Sequence, residues 1–142
     1  MDRIVLTLPI DIAYVRVAAL LSRTLCEPLV AAEQLSEFAG SVELAVSEAC
    51  TNTVKFTADP KGPQSYEVAF LIGNDRLCIE VTDHGPGFDL NAVPPPDFDL
   101  HPQGGYGIYL ILDRMNEVSY DREASGNTLR MTKLFPKKEP DS

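Results

Sequence analysis

Apolar and polar residues alternate from the first residues onward. Ile4, Leu6 and Leu8 share one side of a strand over Arg3 to Leu8, and Pro9-Ile10-Asp11 closes it. Asp11 is an N-cap for a helix from about Ile12 to Cys26, apolar over more than half its circumference and ending before Pro28. That breadth suits either a plain core helix or one with a second covered face, against a sheet or another subunit. Residues 29–40 are mixed and close on Gly40. A second helix is expected from near Ser41 to about Thr57, with Val42, Ala45, Val46, Ala49, Cys50 and Thr53 on one stripe at i, i+3, i+4 spacing.

Asp59-Pro60-Lys61-Gly62-Pro63 is a loop. Tyr66, Val68, Phe70 and Ile72 alternate, as do Leu77, Ile79 and Val81, and Gly73-Asn74-Asp75 between them predicts an antiparallel hairpin. Residues 88–103 hold Pro94-Pro95-Pro96, Pro102 and three aspartates without periodicity, which fits a lid or binding loop, or else a disordered stretch. Ile108, Ile111, Leu112 and Met115 mark a third helix. Val118 and Tyr120 then face Leu129, Met131 and Phe135 in a last hairpin turning at Ser125-Gly126-Asn127. One domain over 1–135 and a disordered tail over 136–142 are expected.

Charge narrows the partners. Twelve basic and 21 acidic side chains give a net charge of −9, which argues against nucleic acid and against an anionic membrane surface. Cys26, Cys50 and Cys78 lack metal-ligand spacing and lie in apolar contexts, as reduced core cysteines of a cytoplasmic protein do. Met1-Asp2-Arg3 leads straight into the first strand, and no apolar run approaches the roughly 18 residues of a membrane span, so the chain is expected to be neither secreted nor membrane-spanning.

Candidate chemistry sits in three places. On the second helix, Glu48, Asn52 and Lys55 share one face beside the core stripe. A carboxylate can take a proton, an amide oxygen suits Mg²⁺, and an ammonium attracts phosphate, although a solvated helix face has the same spacing. After the strand ending at Val81, Asp83-His84-Gly85-Pro86-Gly87 turns the backbone sharply around a lone carboxylate. Gly104-Gly105-Tyr106-Gly107 opens the third helix, where unpaired N–H groups and the helix dipole favour an anion; a tight loop without ligand is the alternative.

Glu48-x-x-x-Asn52, Asp83-x-Gly85-x-Gly87 and Gly105-x-Gly107, in that order, resemble the GHKL ATP-binding fold shared by gyrase, heat-shock chaperones, histidine kinases and mismatch-repair ATPases. Val46-Ser47-Glu48-Ala49-Cys50-Thr51-Asn52 and Gly105-Tyr106-Gly107-Ile108-Tyr109-Leu110-Ile111 are close to the pattern of its stand-alone branch, the bacterial anti-sigma-factor serine kinases. The resemblance implies an α+β two-layer sandwich, a mixed, mostly antiparallel sheet covered on one face by helices. It implies ATP and Mg²⁺, with Asp83 on the adenine amine, Gly85 and Gly87 passing the base, Asn52 on Mg²⁺ and Lys55 near the phosphates. Gly104, Gly105 and Gly107 would cradle those phosphates, Thr128 would stand on the adenine side, and Glu48 would be the catalytic base. Phe56-Thr57 depart from the pattern, standing where the stand-alone kinases usually carry His-Gly.

The function so implied is a serine/threonine protein kinase acting on a small anti-anti-sigma-like domain. The competing function is an ATP-gated module that captures a sigma factor or another regulator without catalysis. Glu48 separates the two, since a pure binder has no use for a base. The apolar first helix and the resemblance also lead to the expectation of a homodimer.

Overall fold

A computed structural model describes residues 1–90 and 106–137. Strand β1 (Asp2–Pro9) is followed by a 3-10 turn at Ile12–Tyr14, whose cap is Asp11: its carboxylate accepts from the Ala13 N–H at 2.9 Å. Helix α1 (Val15–Cys26) continues from that turn. Helix α2 (Ala32–Thr57) starts nine residues before the expected Ser41 and runs straight through Gly40. Apart from its chain neighbours and the backbone of its own helix, no described atom lies within 4 Å of where a Gly40 Cβ would stand, so nothing there requires a glycine or a break. The buried row of α2 already begins at Phe38 and Ala39, in phase with Val42, Ala45 and Val46, and that burial outweighs a helix-interior glycine worth about 1 kcal/mol against alanine.

Strands β2 (Ser65–Ile72) and β3 (Arg76–Asp83) form the expected hairpin. Helix α3 (Gly107–Arg114), β4 (Glu117–Glu123) and β5 (Gly126–Leu134) follow, so Gly126 and Asn127 belong to the strand and the turn is centred one step earlier. The sheet order is β1-β2-β3-β5-β4, and every pairing is antiparallel. Tyr66, Val68, Phe70, Leu77, Ile79, Val81, Leu129 and Met131 form one buried face with the helices. On the other face Glu80 accepts from Arg130 at 2.8 Å, and Thr82 meets Thr128 hydroxyl to hydroxyl at 3.0 Å. This is the two-layer α+β sandwich expected, covered on one face, although among the described residues the sheet is wholly antiparallel and not mixed. Inserting β5 between β3 and β4 places the end of β3 beside the start of β5, and that junction builds one end of the site.

Cys26 and Cys50 are buried and all three cysteines are free. Burial pushes the thiols of Cys26 and Cys50 up, to about 11 and about 12. Among the described residues no helix is long and apolar enough to cross a membrane.

Candidate functional site

At the end of β3, Asp83 is only 8% exposed, and its carboxylate is held by two donors on the same oxygen. The Gly85 N–H donates to Oδ1 at 2.9 Å, and the Asn127 amide donates to Oδ1 at 3.0 Å and to the Gly85 carbonyl at 2.9 Å. Asn127 therefore ties strand β5 to the turn after β3. Thr128, the candidate for the adenine side, is the next residue along β5. Leu129 and Met131 point to the helices, so period-two alternation turns Asn127 inward and Thr128 to the opposite face, where its partner is Thr82. Thr128 thus has its side chain on the face of the sheet away from Asp83.

The two glycines of the turn have separate reasons. A Cβ on Gly85 would stand 2.5 Å from Thr57 Cγ2, at the end of α2. Gly87 has φ +74°, a left-handed conformation, and a Cβ there would meet Arg122 Nε at 2.8 Å. Arg122 also donates to the Pro86 carbonyl at 2.8 Å, fastening the turn to edge strand β4. Thr57 is buried, and its hydroxyl donates to the Thr53 carbonyl. Phe56 and Thr57 thus have structural roles: Thr57 packs against Gly85 in the turn, and Phe56 stacks on Phe88, which follows it.

Glu48 and Asn52 come to the opposite end of the site. Both are half-buried on α2, and α3 begins against them: a Cβ on Gly107 would lie 2.8 Å from Glu48 Oε2, 3.2 Å from Asn52 Nδ2 and 3.4 Å from Asn52 Oδ1. A carboxylate, an amide and a helix N-terminus thus meet without an intervening side chain. Lys55 is exposed and does not line the cavity between the two ends. Gly104 and Gly105, and most of the 88–103 loop, lie outside the described residues, as does the tail from 138.

Asn52, Thr53, Phe56, Asp83, Gly87, Phe88 and Tyr120 are among the walls of that cavity. Phe56, Phe88 and Tyr120 were not singled out in the sequence; an aromatic residue after the last glycine of the turn was the available signal for Phe88. Burial raises the Tyr120 phenol above its ordinary value, and the Asp83 carboxylate adds to the rise. Among the described residues no cluster of three or more His, Cys, Asp or Glu could hold a metal.

The sequence pattern of the histidine kinase-like ATPase domain matches residues 9–133. The chain belongs to that family. Within it, the ATPase domain described here is 36% identical over 110 residues to the serine-protein kinase RsbW of Halalkalibacterium halodurans, covering 71% of this chain and 65% of that one. It is 36% identical over 104 residues to RsbW of Bacillus subtilis, covering 66% and 63%. The chain spans about two thirds of the length of these curated relatives. The crystal structure of the RsbU and RsbW domains of a Mycobacterium tuberculosis protein superimposes with a TM-score of 0.66 at 17% identity, over 94% of this chain and 33% of that one, a likeness of fold. The resemblance carried by the three motifs is borne out at the level of the family and its fold.

Proposed function

We propose that the chain is an ATP-dependent serine/threonine protein kinase of the anti-sigma-factor type, phosphorylating a small protein partner of the anti-anti-sigma kind. The observation that carries this is a cavity lined by both Asp83 and Asn52, with Glu48 and Gly107 meeting at Asn52. With Oδ1 of Asp83 fixed by Gly85 and Asn127, its carboxylate is oriented to accept from the adenine amine. The distance spanned by the two ends is then for the sugar and phosphates, which reach the N-terminus of α3, with Gly104, Gly105 and Gly107 as the phosphate cradle. The relatives bearing the name serine-protein kinase support the same assignment.

Asn52 fits Mg²⁺, since its amide oxygen is a hard ligand beside a carboxylate, and Mg²⁺ is commonly held by one or two protein oxygens plus substrate phosphates. Bound there, the ion would neutralise charge on the phosphates. Glu48 takes the proton of the attacking hydroxyl. Lys55, exposed on the next turn, acts as a screening charge for the phosphates. Partner capture and homodimer formation use the outer surface of the 3-10 turn and α1, where Ile12, Val17 and Leu20 are each about half exposed. The same surface favours the second function, an ATP-gated binder that sequesters a regulator such as a sigma factor.

Calorimetry with Mg-ATP tests the site. The parent should bind one ATP, and Asp83→Asn, which puts a donor toward the amine, should weaken binding by about 1–3 kcal/mol. Equal affinity in the two proteins would remove Asp83 from the adenine side.

A further inference from the structure

The cavity between Asp83 and Asn52 is narrow. It encloses about 10 Å³, space for about one water, whereas small-molecule pockets run to roughly 300–1,000 Å³. The ring of Phe88 is one of the side chains that fill this space. Gly87, at φ +74°, reverses the chain, and Phe88 packs against the core between two other rings. Its centroid lies 4.2 Å from Tyr120 at 35° and 5.4 Å from Phe56 at 27°, within the range of favourable aromatic pairs. Tyr120 belongs to β4, Phe56 to the last turn of α2, and Arg122 holds the Pro86 carbonyl two residues before Phe88. The ring is therefore clamped from both sides and anchored at its base.

We propose that Phe88 is a plug seated in the nucleotide base pocket, held by Phe56 and Tyr120, and that a nucleotide binds only after the ring has left. This rests on the ATP site proposed above and adds its regulation. Ring and base compete for one volume, so the apparent affinity is the intrinsic affinity scaled by the fraction of molecules with Phe88 displaced. Phe56 supplies one wall of the clamp, its ring stacked on that of Phe88. Because Phe56 sits on the same helix as Asn52 and Glu48, at its far end, displacing the ring links base entry to the helix that bears the phosphate-side residues.

Calorimetry and stopped-flow binding of Mg-ATP to the parent, Phe88→Ala and Phe56→Ala test this, with Phe88→Leu in place of the alanine variant should that one fail to fold. Emptying the pocket should tighten ATP binding on the order of tenfold, mainly through faster association, and Phe56→Ala should move affinity the same way by a smaller factor. In fluorophenylalanine-labelled parent, the ¹⁹F signal missing from the Phe88 variant should shift on saturation with ATP. Weaker or equal binding by the Phe88 variants, or an unmoved Phe88 signal while ATP binds the parent, overturns the plug and leaves the site standing. If neither parent nor variants bind ATP, the nucleotide site fails and the plug with it.

Discussion

Glu48 Oε2 stands 2.8 Å from the point a Cβ on Gly107 would occupy, although the two residues are far apart in sequence. A side chain at the start of α3 would have to push the carboxylate off the helix N-terminus. Two substitutions separate its roles. Glu48→Gln keeps the shape and removes the proton acceptor, so phosphate transfer to a captured serine or threonine partner should fall by about 10²- to 10⁴-fold while ATP affinity stays near parental. Gly107→Ala should slow transfer too, with little loss of stability, because the clash falls on the end of a flexible side chain. Single-turnover transfer, beside calorimetry, measures both; parental rates in Glu48→Gln would make that residue structural and favour the ATP-gated binder.

Gly85 and Thr57 should be coupled. Gly85→Ala places a methyl 2.5 Å from Thr57 Cγ2, and overpacking of this kind costs about 1–3 kcal/mol. Thr57→Ser deletes that methyl while keeping the hydroxyl that serves the Thr53 carbonyl. Urea unfolding of the two single variants and the double variant should show the double more stable than Gly85→Ala alone. Simple addition of the two effects would mean that the close approach relaxes elsewhere.

Asn127 and Thr128 are neighbours with opposite expected outcomes. Asn127→Ala strips Asp83 and the Gly85 carbonyl of a shared donor in a buried setting, which should cost stability about 1–3 kcal/mol and weaken ATP binding. Thr128→Val keeps the β-branched shape on the far face of the sheet and should leave ATP affinity unchanged. Thermal melts and calorimetry on both variants decide which residue serves the site; a loss of ATP affinity confined to Thr128→Val would reverse the assignment.

Alkaline pH should unfold the protein partly through Cys50. Burial raises its thiol from 9.0 in the free group to about 12 in the fold. The folded state thus holds the proton more tightly, its contribution is complete below pH 9, and it is lost as pH rises from 9 toward 12. The slope is about 1.4 kcal/mol per pH unit within that window. Cys26, raised to about 11, adds to the same fall. Denaturant midpoints from pH 8 to 11 should decline above 9, and the decline should be shallower in Cys50→Ala; identical slopes would show that the thiol does not titrate with unfolding.

What the sequence determined by itself was periodic or local. Ile4, Leu6 and Leu8, or Leu77, Ile79 and Val81, place a strand because the side-chain period is two, and the spacing of Glu48 and Asn52 puts them on one helical face whatever the helix packs against. The turn at Asp83 was legible because a carboxylate between a strand end and two glycines has few other conformations. The same alternation, carried two residues back from Leu129, turns Asn127 inward only because β5 begins at Gly126, where the sequence had suggested a turn. Tertiary structure decided the rest. Gly40 looked like a stop because its neighbours in space are not written in the chain, and the burial of Phe38 and Ala39 carried α2 through it. The approach of Gly107 to Glu48, of Gly85 to Thr57, and of Phe88 to Phe56 and Tyr120 each joins residues from different elements. Such contacts follow from the strand order and from the way α2 lies across the sheet, relations between distant segments that local spacing does not carry.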